Sequence, residues 1–98
     1  MRVILSRQAK ADSDAIWTYV YQESGSLETA DRLLESIGKT LKYLRSNPRI
    51  GRSRDNDFGS NLRSIPSGTH VIYYRINPRE VRVERILHGS RDVRKFLM

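Results

Sequence analysis

The apolar positions of this chain follow two periods, and the change from one to the other marks its elements. Arg2–Ser6 (RVILS) is apolar and β-branched, which predicts a short strand. From Arg7 to about Gln22, Ala9, Ile16, Val20 and the neighbouring Trp17 follow helical spacing, with Ser6 placed to cap the first turn. Asp12 and Asp14 lie in the first half of this helix, where its dipole favours negative charge. Gly25 stops it, and Ser26 can cap a second helix with Glu28 in the first turn. Ala30, Leu33, Leu34, Ile37, Leu41 and Leu44 then make one continuous stripe over about four turns. Asn47-Pro48 ends the stripe, because a residue before proline avoids the helical region.

The period then shortens. Residues 49–60 (RIGRSRDNDFGS) are rich in Gly, Ser, Asp, Asn and Arg and read as a loop. Three strands follow: a short one at Leu62–Pro66, a β-prone run at Thr69–Ile76 (THVIYYRI), and about Glu80–Leu87 (EVRVERIL) after an Asn77-Pro78 turn. Links this short imply a meander. In the middle strand Ile72, Tyr74 and Ile76 are expected to face the helices, with Tyr73 and Arg75 on the open face. Val81 and Val83 share parity but Ile86 does not, which predicts a bulge or burial on two sides. His88-Gly89 closes the strand, and Ser90–Met98 (SRDVRKFLM) can add a last helical turn. The order β-α-α-β-β-β gives an α+β fold, a helical hairpin packed on one face of a small, mostly antiparallel sheet. The opposite face, carrying the strand arginines, is left to solvent or to a partner.

At 98 residues the chain is a single domain over residues 1–98, burying only about two-thirds of its unfolded surface around a thin core. No apolar run approaches the roughly 18 residues of a membrane span, and MRVILSRQ turns polar too soon for a signal peptide. The absence of cysteine excludes a disulfide scaffold and a thiolate zinc site, and fits a reducing cytoplasm. Two histidines cannot build a His-rich metal site. Neither a phosphate-binding glycine loop nor a nucleophile elbow nor a paired-carboxylate site is present, so no metal or cofactor is expected.

Charge is the first positive signal. Lys and Arg number 18 against 11 Asp and Glu, a net charge of +7. Only Lys10, Lys39, Lys42 and Lys95 are lysines, and the surplus lies mostly in residues 51–98, where it is nearly all arginine. Arginine's planar fork suits phosphates and carboxylates, so an anionic partner is expected. Arg63, Arg75, Arg82 and Arg85 on the strands, with Arg52, Arg54 and Arg91 beside them, can gather on one surface because strands lie about 4.8 Å apart. Tyr73 or Tyr74 among them could stack on a base. The plainer alternative pairs these arginines with Asp55, Asp57, Glu80, Glu84 and Asp92, as surface ion pairs of little energy.

His88 has two readings as well. It is either the general acid or base of a metal-independent ribonuclease, or a residue that bonds Asp92 or the backbone and pins the C-terminal segment. His70 reads as structural or exposed. On the helices, Trp17, Tyr19, Tyr21 and Tyr43 exceed the needs of a thin core, and Trp17 with Tyr21 can form an i,i+4 patch for a docking helix or strand.

Two blocks carry a family resemblance: Leu62-Arg63-Ser64-x-Pro66-x-Gly68-x-His70-Val71-Ile72-x-Tyr74-Arg75, and Arg85-Ile86-Leu87-His88-Gly89-x-Arg91-Asp92. With Ala9-x-x-Asp12-x-x-x-Ile16-x-x-Tyr19, Ala30 through Leu44, and Asn47-Pro48-x-Ile50-Gly51-Arg52, the chain resembles ParE-type toxins of the RelE/ParE superfamily over nearly its whole length. It departs at Ser13, where the family usually has an apolar helix residue. The resemblance implies a toxin of a bacterial type II toxin–antitoxin pair, acting in the cytoplasm on DNA gyrase to block replication. It implies neutralisation by a cognate ParD-like antitoxin laid on the helical hairpin and sheet, with DNA or RNA reached through the partner complex. By that analogy Trp17, Tyr21, Leu33, Leu34 and Ile37 would meet the antitoxin, and Arg63, Arg75, Arg85, His88 and Arg91 the target. The other branch of the superfamily contains ribosome-dependent messenger-RNA nucleases. In that reading Arg63, Tyr74, Glu84, Arg85 and His88 would be catalytic. No Lys lies on the strands and the His-Tyr ending of some such nucleases is missing, so the gyrase branch is preferred and no catalytic residue is expected.

Overall fold

The computed structural model describes residues 1–54 and 61–97. The rest of the expected loop, with Asp55 and Asp57, lies outside the described residues. Strand β1 (Arg2–Leu5) leads into helices α1 (Arg7–Ser24) and α2 (Leu27–Ser46). Then come β2 (Arg52–Ser53), β3 (Leu62–Ser67), β4 (His70–Ile76), β5 (Glu80–His88) and a short helix α3 (Arg94–Leu97). Among the described residues no helix is long and apolar enough to cross a membrane.

The caps fall where the sequence places them. Ser6 Oγ accepts the Ala9 amide at 3.0 Å, and Ser26 Oγ accepts the Thr29 amide at 3.1 Å; each satisfies a donor of a helix's first turn. Gly25 closes α1 in the left-handed region at φ 68°, which an L side chain would strain, and its N–H bonds the Tyr21 carbonyl.

The sheet runs in the order β1-β5-β4-β3-β2. β1 pairs parallel with β5, and the other pairs are antiparallel. β2 lies inside the segment expected to be a loop; two residues carry no period that a sequence could reveal. The helix-facing side of the sheet buries Ile72, Tyr74, Val81, Val83 and Ile86 against Ala9, Ile37 and Leu44. Each fully buried aliphatic side chain here stabilises the fold by about 1.5–3 kcal/mol. The parity conflict in β5 is resolved by a bulge: Tyr74 pairs Val83 but Tyr73 pairs Arg85, so Glu84 is the extra residue.

The outer side of the sheet departs from expectation. It was expected to be uncovered, but one end of it is sealed. Leu62, Tyr73 and Leu87 form a second buried cluster, packed with Val71 and with Val93 and Phe96 of the C-terminal segment. The reason is the thin sheet: apolar positions of outer parity in β3, β4 and β5 need a cover, and the last residues supply it. Tyr73 is 7% exposed and Tyr74 fully buried, so neither offers a ring for stacking on a base.

Tyr74 ends the helix-side core with a polar atom that is fully used. Its hydroxyl donates to the Pro48 carbonyl at 2.7 Å and accepts the Gly51 amide at 2.8 Å. Burial raises its pKa above the usual 10.0, while the Gly51 amide and the Arg63 charge pull the other way. Gly51 must lack a side chain here, because a Cβ would come within 2.8 Å of Tyr74 Cε1 and 2.9 Å of the Ser64 carbonyl. Tyr74→Phe leaves two backbone groups unpaired and is expected to lower unfolding free energy by about 1–3 kcal/mol, read from urea denaturation.

Candidate functional site

The edge of β5 positions the site. β1 accompanies β5 only as far as the Leu5–Val83 pair, and α1 then takes over as the neighbour. Ser6 donates its amide to the Val83 carbonyl at 2.9 Å and its hydroxyl to the Glu84 carbonyl at 2.8 Å. Nearly two turns further on, Asp12 Oδ2 accepts the Ile86 amide at 3.0 Å. The same carboxylate is gripped by both arms of Arg85, Nε and Nη2, each at 2.7 Å. Asp12 therefore closes a strand edge and pairs a guanidinium at once. The bond to Asp12 raises the pKa of Arg85 above the ordinary guanidinium range, against the pull of burial.

Beside this clamp lies a groove of about 670 Å³ between the helices and the far ends of β4 and β5. Its walls are largely apolar, from Ala15, Ile16, Tyr19, Val20 and Leu33 on the helices and Leu87 and Phe96 opposite. Tyr19 is 64% exposed. The polar rim is formed by the guanidiniums of Arg85 and Arg91 and the imidazole of His88. The Arg85 and Arg91 guanidiniums lie 4.8 and 5.8 Å from the centroid of the Phe96 ring, within cation–π range.

His70 and His88 are cross-strand partners lining the groove, with ring centroids 5.3 Å apart in an edge-to-face arrangement. His70 Nδ1 bonds the Thr69 hydroxyl at 3.1 Å. His88 Nδ1 bonds the Ser90 hydroxyl at 2.7 Å and accepts the Ser90 amide at 3.1 Å. The partner of His88 is thus Ser90, two residues away, and Asp92 instead accepts the Arg94 amide. Burial, and then the neighbouring His88, lower the pKa of His70 below 6.5.

The residues expected to act together are dispersed. Arg63 pairs Tyr74 on the helix-facing side and donates to the Arg49 and Gly51 carbonyls at 3.2 and 2.8 Å. Arg75 lies on the outer face with Arg82, sharing Glu84 at 3.8 and 3.4 Å. Arg85 is locked to Asp12, while His88 and Arg91 stand at the groove rim. The five residues of the nuclease reading thus occupy three places: Arg63 and Tyr74 inside, Glu84 outside, Arg85 and His88 at the groove. Strand parity and the bulge separate them, and no single substrate position is flanked by an acid and a base. Among the described residues no three His, Asp or Glu side chains could hold a metal ion.

The hairpin residues divide as well. Leu33 lines the groove, and Leu34 packs half-buried against the core. Ile37 is 3% exposed and belongs to the core, so it has no surface to offer a partner. Trp17 stacks on Tyr21 at 5.3 Å and donates Nε1 to Asp31 at 2.8 Å, away from the groove. Sequence reasoning gave Asp12 only a dipole role. Its spacing from Ala9 and Ile16 put a carboxylate on the buried face of α1, which was the available signal that a cation must meet it.

Asp12→Ala is expected to cost on the order of 3 kcal/mol, because it leaves the Arg85 fork and the Ile86 amide without their acceptor. Arg85→Lys keeps the charge but not the fork and should fall between the two; denaturant unfolding of the three chains checks this. His70 sets a pH dependence. The unfolded chain takes up this proton near pH 6.5 and the folded chain only below it. Stability should therefore be full above that pH and fall as acidification passes through it toward the lowered folded value. His70→Gln should flatten this slope in urea midpoints measured between about pH 7 and pH 5.

Comparison with known proteins fits this geometry. The family described as "ParE toxin of type II toxin-antitoxin system, parDE" matches residues 3–93. Toxin ParE1 of Caulobacter vibrioides is 39% identical over 93 residues, covering 95% of this chain and 94% of the relative. Toxin ParE1 of Mycobacterium tuberculosis is 31% identical over 97 residues, covering 98% and 97%. A solved chain from the chromosomal ParDE toxin–antitoxin system of P. aeruginosa shares the fold with a TM-score of 0.77 at 23% identity, over 90% of this chain and 95% of that one. On the match along nearly its whole length, this chain belongs to the ParE toxin family of type II toxin–antitoxin systems.

Proposed function

We propose that this toxin inhibits DNA gyrase, and that a cognate antitoxin silences it by filling the groove between the helices and β4–β5. The observation that carries the reading is the family match over residues 3–93, since gyrase inhibition and antitoxin neutralisation are the known mode of that family. The groove supports the antitoxin half. Its apolar walls suit the apolar side of a helix or extended segment, and the Arg91 guanidinium at its rim suits an acidic residue on that segment. Arg85 contributes less to binding than its position suggests, because Asp12 already takes both arms of its fork. Ile16, Tyr19 and Leu33 replace Trp17, Tyr21 and Ile37 as the helical contacts in this reading.

The dispersal of Arg63, Tyr74, Glu84, Arg85 and His88 speaks against the messenger-nuclease alternative. Purified toxin added to gyrase and relaxed plasmid should block supercoiling or accumulate cleaved complexes, and Arg91→Ala should weaken its hold on the antitoxin without unfolding the domain. Normal supercoiling at large toxin excess, with message cleavage on translating ribosomes, would overturn the reading.

A further inference from the structure

The outer face of the sheet carries a charge arrangement that neither the groove nor the family match uses. Arg75 of β4 and Arg82 of β5 are directly opposite each other in register, an arrangement that repels and works against the pairing of the strands. One carboxylate, Glu84, is shared between them at 3.8 and 3.4 Å. Glu84 is the extra residue of the β5 bulge and lies two positions past Arg82, so strand alternation puts it on the same outer side. The two guanidiniums keep 35% and 47% of their side-chain surface exposed. With five N–H donors each, they have far more donors than one carboxylate can accept. The register extends this row. Leu62 is the β3 partner of Arg75, and the Arg54 amide bonds the Leu62 carbonyl at 2.7 Å, so Arg54 lies in the same row two strands from Arg75. The Arg54 guanidinium stands 6.0 Å from the centroid of the Tyr73 ring. Arg52, exposed, has outer parity one row away, opposite Ser64.

We propose that this row, with Arg75 and Arg82 at its centre, grips the phosphate backbone of duplex DNA. The row crosses about three strand spacings, roughly 14 Å. That is the axial length of about four phosphates on one strand of a duplex. The charge is complementary: Arg75 and Arg82 share the single carboxylate of Glu84, and Arg52 adds an exposed positive charge one row away. Its chemistry is that of phosphate contact without base reading. The face is a flat sheet with no helix or ribbon to enter a groove, and Tyr73 is too deeply buried to stack on an unpaired base. That excludes the single-stranded mode and leaves a duplex. The choice of DNA over duplex RNA rests on the gyrase reading, since gyrase works on duplex DNA.

A protein of this charge will bind DNA weakly all over its surface, so the test must localise the contact. Binding of the full chain to a labelled random-sequence duplex is measured by fluorescence anisotropy across a salt series. Arg75→Gln/Arg82→Gln is compared with Arg32→Gln/Arg45→Gln, which removes the same charge from α2. The outer-face pair should weaken binding by tenfold or more and reduce the magnitude of the log–log salt slope by about 1.8, from about 0.9 per phosphate contact. The α2 pair should do much less, and single Arg82→Gln should lose about one unit of slope. Equal losses from both pairs, absence of binding at low salt, or tighter binding to duplex RNA of the same length would overturn the proposal. No gyrase enters this measurement. A chain that blocks supercoiling but fails here loses only this inference. One that grips DNA through Arg75 and Arg82 but leaves supercoiling untouched loses the gyrase reading instead.

Discussion

The Asp12 carboxylate is the joint on which this small fold turns. A sheet edge needs its amides satisfied, and β1 is too short to follow β5 to its end. α1 completes the edge with two side chains, Ser6 and Asp12, and so becomes part of the sheet's hydrogen bonding as well as a cover for its core. Because Asp12 also forks to Arg85, the helix cannot rotate or slide without breaking charged and backbone bonds together. The groove lies directly beside that joint, so the bidentate ion pair fixes one of its walls. In a domain with a thin core such a bond is worth more than its share of area suggests.

Much of the architecture was legible because it is periodic. The Ala30-to-Leu44 stripe, the Ser6 and Ser26 caps and the Gly25 stop are local signals, and α1 and α2 follow them. The parity conflict between Val83 and Ile86 announced the bulge. What the sequence could not show depended on distant partners. β2 is too short to have a pattern. The cover over Leu62, Tyr73 and Leu87 comes from Val93 and Phe96, and nothing local says that a C-terminal turn will fold back on those strands. The site was harder still. Counting arginines predicted one basic surface, but strand parity sends Arg63 inward and Arg75 and Arg82 outward around Glu84, and Asp12 holds Arg85 at the edge. Ile37 looked like part of a docking stripe because a helical period marks the buried face without saying what buries it.

The molecule therefore presents two different surfaces from one strand. Up to Glu84, β5 serves the outer face, with Arg82 and Glu84 turned away from the helices. Past the bulge Arg85, opposite Tyr73, reaches round the strand edge to Asp12, and His88 lines the groove. One inserted residue lets Val83 and Ile86 share the helix-facing side, and a partner on either face contacts the same strand.

The parallel pairing of β1 with β5 has a consequence for how the protein comes into being. Arg2 meets Glu80 across 78 positions of sequence. During synthesis the first strand emerges with nothing to zip onto, and the helical hairpin has only part of its sheet to rest on until the last strand is made. Loop closure over that distance is slow compared with forming the hairpin. The newborn chain thus spends its time on the ribosome incomplete, and the finished shape, together with whatever harm it can do, arrives only after translation has carried the ribosome past β5.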